Sequence, residues 1–91
     1  MSTEFDLDGA WRLHPQVSVR PERFGALLYH FGTRRLSFLK STALLDVVRG
    51  LDKAPTARSA CRRAGVTPEH VAAYEQALGT LAASEMIVER R

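Results

Sequence analysis

The sequence predicts an α+β, winged-helix-like domain in which three antiparallel strands are followed by three helices. The first observation is that apolar residues recur at strand spacing between Trp11 and Lys40. The second is that from Ser41 onward they recur at helical spacing, with a capping residue ahead of the first and third helices. The third is a short helix, a turn "AGVT" and a longer helix, an order typical of a helix-turn-helix.

The first strand lies in residues 11–20, "WRLHPQVSVR", where apolar and polar residues alternate. Trp11, Leu13, Val17 and Val19 share one parity, which predicts a strand with one buried face. Pro15 cannot donate a ladder hydrogen bond, so the regular strand is expected to begin after it or to lie on a sheet edge. Residues 21–25, "PERFG", make the following turn.

The second and third strands are residues 26–31 and 36–40, joined by residues 32–35. This hairpin carries apolar side chains on both faces, which is unusual for a sheet with one wet side. We predict that Leu36 or Phe38 is half-buried. Replacing both by charged residues should then destabilise the domain.

Three helices follow. The first begins at Ser41 or Thr42, either of which can cap free N–H groups, and it ends near Gly50. The second, residues 56–64, presents a stripe of small residues to the core. The third opens with Thr67 as cap and Pro68 in its first turn, and runs to about Ser84. The residues "MIV" after it are expected to pack back on the core.

The length of the chain and its lack of targeting segments limit the functions it can have. A chain of 91 residues makes one domain with a modest core. We assign residues 1–10 to a flexible acidic tail and residues 11–91 to the domain. The beginning of the sequence does not resemble a signal peptide, and no apolar run is long enough for a membrane span, so we expect a cytoplasmic protein without a membrane partner.

Residues that carry catalysis or bind cofactors are sparse. His14, His30 and His70 are far apart in sequence, and Cys61 is the single thiol. No spacing matches a zinc or iron–sulfur site, and there is no phosphate loop or nucleophile motif. The sequence therefore predicts no metal, no cofactor and no enzymatic activity.

A helix-turn-helix raises the alternative of a winged helix-turn-helix DNA-binding regulator. Its recognition helix would be residues 68–84, and that helix offers mainly acidic and neutral side chains outward (Glu69, His70, Glu75, Gln76 and Thr80). Phosphates would be repelled by this surface, so we expect no nucleic-acid partner. Arg34 and Arg35 in the hairpin turn are the remaining residues that could contact phosphate as a wing.

The run "HPQVSVRPERFGALLYHFGTRRLSFLKSTALLDVVRGL" resembles the small peptide chaperones of mycofactocin biosynthesis. The resemblance extends from about Trp11 to Val88, and "RPERFGALLYHFGTRRLSFLKS" is its most specific part. That family is similar to the stand-alone chaperone of pyrroloquinoline quinone biosynthesis, and both belong to the recognition elements of ribosomally made, modified peptides.

The resemblance implies a fold of three strands and three helices and no catalysis. It implies that the chain binds the leader of a precursor peptide and presents it to a radical S-adenosylmethionine maturase. The leader would lie as an added strand beside the third strand, under the third helix. The implied peptide-binding residues are Leu36, Ser37, Phe38, Leu39 and Lys40 of the strand, with His70, Ala73, Tyr74 and Ala77 of the helix.

Strand addition would explain the apolar hairpin, because its free edge would pair with the leader. Ser37 and Leu39 share one parity and Phe38 has the other, and the sequence leaves open which amides face outward. The second apolar face would contact the maturase. Alternatively, both faces would be core and dimer contacts. A structural subunit of an enzyme complex, without a peptide site, is a third possibility.

Overall fold

The structure is a computed structural model that describes residues 5–90. It contains five strands, three α-helices and short 3₁₀ turns at Leu51–Lys53 and Pro68–His70. In chain order the elements are β1 (Trp11–Leu13), β2 (Val17–Glu22), β3 (Gly25–His30), β4 (Leu36–Leu39), α1 (Thr42–Gly50), α2 (Ala57–Arg63), α3 (Val71–Ala83) and β5 (Ile87–Glu89). The α+β class and the three helices are confirmed. The predicted count of three strands is wrong, and the winged-helix-like assignment is not confirmed.

Strands β2, β3 and β4 form an antiparallel meander in that order. In its register Leu28 lies opposite Val19 on one side and opposite Ser37 on the other. The turn between β2 and β3 is confined to residues 23 and 24, shorter than predicted. Gly25 follows it with φ +154°, and a Cβ there would lie 2.0 Å from the Leu39 carbonyl oxygen. Only glycine fits this position.

A second, two-stranded sheet pairs the two ends of the domain. Strands β1 and β5 run antiparallel, with Trp11 opposite Glu89 and Leu13 opposite Ile87. The segment after the third helix packs on the core as predicted, since Met86 and Ile87 are buried, but it does so as a strand. The predicted first strand is therefore two strands, which belong to different sheets and are separated around Pro15.

Of the two caps that the sequence predicts, the one at Ser41 is confirmed, and Thr56 caps α2 without having been predicted. Ser41 Oγ accepts a hydrogen bond from the Leu44 N–H (3.0 Å), and Thr56 Oγ1 accepts one from the Ser59 N–H (3.0 Å). The third helix differs, because Pro68–His70 form a 3₁₀ turn and α3 starts at Val71. Thr67 makes no side-chain cap bond there.

The core lies between one face of the meander and the helices. Its buried apolar members include Trp11, Ala26, Leu28, Leu39, Leu45, Val47, Val48, Leu51, Ala57, Ala60, Cys61, Leu78, Leu81, Met86 and Ile87. Within residues 5–90, no helix is long and apolar enough to cross a lipid bilayer.

Of the predicted N-terminal tail, residues 1–4 lie outside the described residues. Residues 5–10 contact α2: Leu7 is buried, and the carbonyls of Leu7 and Gly9 accept from the N–H groups of Arg58 (2.8 Å) and Ala57 (3.0 Å). The packed core therefore includes Leu7, which lies before the predicted domain boundary at residue 11. The flexibility of the tail stays a prediction.

Candidate functional site

Leu36 and Phe38 of β4, one of which the sequence predicts to be half-buried, both point into solvent. The side chain of Leu36 is 58% exposed and that of Phe38 is 62% exposed, whereas Leu39 is fully buried. The inner face is occupied by Leu39 opposite Ala26 and by Ser37 opposite Leu28. The predicted burial of Leu36 or Phe38 is wrong by one residue of register.

The direction of the β4 amides follows from one hydrogen bond at the end of the hairpin. The His30 N–H donates to the Arg35 carbonyl (3.0 Å), which makes these two residues a hydrogen-bonded pair. Such pairs recur every second residue of an antiparallel ladder. Ser37 and Leu39 therefore bond to β3, and the N–H and C=O groups of Leu36 and Phe38 point to the open edge.

The opposite edge of the meander, on β2, is less available. The Phe31 N–H donates to the Gln16 carbonyl (2.9 Å), so the backbone groups of Val17, Val19 and Pro21 face outward. Val17 already donates to the His14 carbonyl, and Pro21 has no N–H. The edge of β4 is therefore the better acceptor of an additional strand.

A groove of about 440 Å³ adjoins this edge, between β4 and α3. Its lining is mainly apolar and comes from β4, α1 and α3: Ser37, Phe38, Leu39, Lys40, Leu44, Ala77, Thr80 and Leu81. We call it the β4–α3 groove. Sequence reasoning missed Leu44, Thr80 and Leu81. The last two follow Ala77 by three and four residues, so helical periodicity extended by one turn would have found them.

The remaining predicted helix residues lie elsewhere. His70 and Tyr74 line a separate hollow of about 360 Å³, together with Ala43, Glu69 and residues 64–67. His70 Nδ1 lies 2.9 Å from Thr67 Oγ1. Ala73 is exposed and lines neither hollow. The structure thus places four strand residues and Ala77 in one groove and does not bring His70, Ala73 or Tyr74 into it.

The outward side of the meander is apolar. The side chains that share it are Leu27, Tyr29, Phe31, Leu36 and Phe38, with Phe24 in the adjoining turn, and we call this set the aromatic face. Tyr29 and Phe31 meet edge to face with ring centroids 4.9 Å apart. The centroids of Phe24 and Phe38 are 6.3 Å apart.

The potentially reactive side chains of Cys61 and His30 are buried in the fold. Across residues 5–90, no three His, Cys, Asp or Glu side chains come together as a metal site. Cys61 is buried, and burial raises the pKa of its thiol. His30 Nδ1 accepts hydrogen bonds from the N–H groups of Gly32 (3.0 Å) and Thr33 (3.1 Å), so this buried ring supports the turn before β4.

Comparison with known proteins agrees with this geometry. Residues 10–88 match the model of the peptide chaperone MftB family. A protein of Mycobacterium tuberculosis named peptide chaperone MftB is 60% identical over 90 residues, which are 99% of this chain and 83% of that protein. A protein of the same name from Mycobacterium ulcerans is 62% identical over 84 residues, 92% of this chain and 77% of its own length. No solved structure matches the chain.

Proposed function

Because this chain belongs to the peptide chaperone MftB family, we propose that it binds the leader of the mycofactocin precursor peptide and presents it to a radical S-adenosylmethionine maturase. A peptide chaperone binds its client without converting it, so the chain itself is not an enzyme. The maturase carries out the chemistry in this scheme.

The single observation that supports this function is the open edge of β4 beside the β4–α3 groove. Outward N–H and C=O groups at Leu36 and Phe38 offer main-chain hydrogen bonds to an extended peptide. This is β-augmentation, in which the main chain supplies affinity and pockets for alternate side chains supply specificity. An unprotected edge is otherwise a liability for a soluble domain.

The same geometry divides the leader side chains into two sets. Residues paired across a sheet put their side chains on the same face. Leader residues opposite Ser37 and Leu39 would point toward the β4–α3 groove, where Leu44, Ala77 and Leu81 favour apolar side chains. The alternate leader residues would lie beside Leu36 and Phe38 on the aromatic face.

The third helical segment does not favour the DNA-binding alternative. Glu69, Glu75 and Gln76 are exposed at the surface of the third helical segment, as the sequence predicts. Carboxylates at these positions repel phosphate. We therefore propose peptide and maturase as partners and no nucleic acid.

The test is a titration of ¹⁵N-labelled chain with the synthetic leader, followed by amide chemical shifts. We expect the largest shifts at Leu36–Lys40 and around Ala77–Leu81, and small shifts on β2. A leader of the same composition in scrambled order is the control. Shifts confined to β2, or equal responses to both peptides, would contradict strand addition at β4.

A further inference from the structure

We propose that the aromatic face is a docking surface for a protein whose contact patch is apolar and bordered by carboxylates. The inference deepens the proposed function, because the partner under that function is the maturase that receives the peptide. The surface is distinct from the β4–α3 groove, although Phe38 contributes to both.

The first argument is the concentration of exposed apolar side chains. Four large hydrophobic residues of the described chain are at least half exposed: Phe24, Phe31, Leu36 and Phe38. All four lie on the aromatic face or at its border. Single exposed hydrophobic residues are normal, but a contiguous patch with a polar rim marks an interaction site.

The second argument is charge. Arg20 and Lys40 have the outward parity of this face, and Arg23, Arg34 and Arg35 are exposed in the turns that bound it. Glu22 is the one acidic residue of the same strands. Between Phe5 and Arg90 the one ion pair joins Arg58 and Asp8, so none of these five cations is paired with a carboxylate of the described residues. A rim of cations selects a partner with carboxylates at matching positions.

The charge also argues against other occupants. Two copies stacked through this face would bring their cationic rims together, which costs free energy. An anionic lipid surface would neutralise the cations, but lipid binding would not explain why a peptide is held at the adjacent edge of β4. A protein that acts on the peptide must approach that edge, and the aromatic face lies beside it.

The experiment measures two affinities for each full-length variant, one for the leader and one for the maturase. Phe31→Ser removes an exposed ring and Arg20→Glu reverses a rim charge, both on positions away from β4. Arg62→Glu, an exposed arginine of α2, is the matched charge control. We expect each face variant to weaken maturase binding at least about tenfold and Arg62→Glu to change it little. Leader affinity should stay within about twofold of wild type for all three. Melting temperatures establish that the variants are folded.

The outcomes separate this inference from the proposed function. Wild-type maturase affinity in both face variants overturns the docking surface while leader binding stands. Absence of leader binding, with maturase binding that still depends on Phe31 and Arg20, overturns the proposed function and supports the surface. Dimerisation of wild type that Phe31→Ser abolishes, without an effect on the maturase, overturns the inference in favour of a second copy. Binding to phosphatidylserine vesicles that Arg20→Glu abolishes, again without such an effect, overturns it in favour of a lipid surface.

Discussion

Phe38 and Leu39 are adjacent residues with opposite environments. Leu39 is packed among Ala26 and the helices, and Phe38 is mostly exposed. The sequence could not predict this assignment, because both parities of the hairpin are apolar. Alternation with a period of two residues then does not indicate which face is buried. The buried parity is decided by the helices that cover it.

Substitution by aspartate should separate the two positions. Leu39→Asp places a charge in the core and loses apolar burial, so we expect a loss of about 3–5 kcal/mol of unfolding free energy. Phe38→Asp changes an exposed side chain and should cost less than about 1 kcal/mol. Urea denaturation of the two variants measures both values. A larger loss for Phe38→Asp than for Leu39→Asp would mean that the register is the one the sequence predicted.

His14 should make the domain less stable in acid. Burial lowers the pKa of His14, and the neighbouring His30 and Arg12 lower it further against an opposing effect of Glu85. A histidine with a lowered pKa takes up a proton less readily in the folded state than in the unfolded state. The full contribution of neutral His14 to the free energy of unfolding is present above the pKa of about 6.5 that a histidine has in the unfolded state. This contribution is lost as the pH falls through the lower pKa of His14 in the folded state.

Melting temperatures between pH 7.5 and pH 5 test this linkage. We expect His14→Gln to flatten the decline below about pH 6.5 relative to wild type. Ser18→Gln, at an exposed uncharged position of β2, is the control and should leave the decline unchanged. A decline that is the same in wild type and His14→Gln would assign the acid sensitivity to other groups.

At the scale of the element, β4 combines two alternations. Leu36 and Phe38 point their side chains to the aromatic face and their amides to the open edge. Ser37 and Leu39 point their side chains to the core and their amides to β3. The sequence predicted that the amides alternate, and the structure supplies the parity. It also predicted the start of α1, because Ser41 is a local signal read within three residues.

Proline substitution should distinguish the two parities of β4. Phe38→Pro removes an outward N–H, so we expect leader binding to weaken more than about tenfold with a small change in melting temperature. Ser37→Pro removes the N–H that bonds to β3 and should destabilise the fold by about 1–3 kcal/mol. Isothermal calorimetry with the leader and thermal melts give both readings.

Phe38→Ala is the matched control for the first change, because it removes the ring and keeps the N–H. Leader binding that Phe38→Ala and Phe38→Pro weaken equally would assign the effect to the ring. Small and equal effects of proline at residues 37 and 38 would exclude strand addition at this edge.

At the scale of the whole molecule, the two ends of the chain stabilise each other. The β1–β5 sheet joins residues 11–13 to residues 87–89, and the Arg90 side chain donates to the Ala54 carbonyl (2.6 Å). The sequence could not predict this sheet, because its strands have three residues each and their pairing spans most of the chain. The order of the meander and the helices was predictable because neighbouring elements carry that information locally.

Deletion of residues 1–10 should therefore lower stability. It removes the buried side chain of Leu7 and the carbonyls of Leu7 and Gly9 that accept from the first turn of α2. We expect a loss of about 2–4 kcal/mol of unfolding free energy, with Leu7→Ala accounting for much of it. Deletion of residues 1–4 alone is the control. A ten-residue deletion that melts at the wild-type temperature would support the tail predicted from sequence.

The parity of β4 has a consequence for the order of assembly. Leader residues that pair opposite Leu36 and Phe38 would add their side chains to the aromatic face, so a loaded chaperone would present a wider surface to the maturase than an empty one. The two binding equilibria are then thermodynamically linked, and each partner raises the affinity for the other by the same factor. Coupling free energies of this kind are typically about 1–3 kcal/mol, or roughly 5–150-fold. With coupling of that size, empty chaperone would compete poorly for the maturase, and the enzyme would be occupied mainly by complexes that carry a peptide to modify.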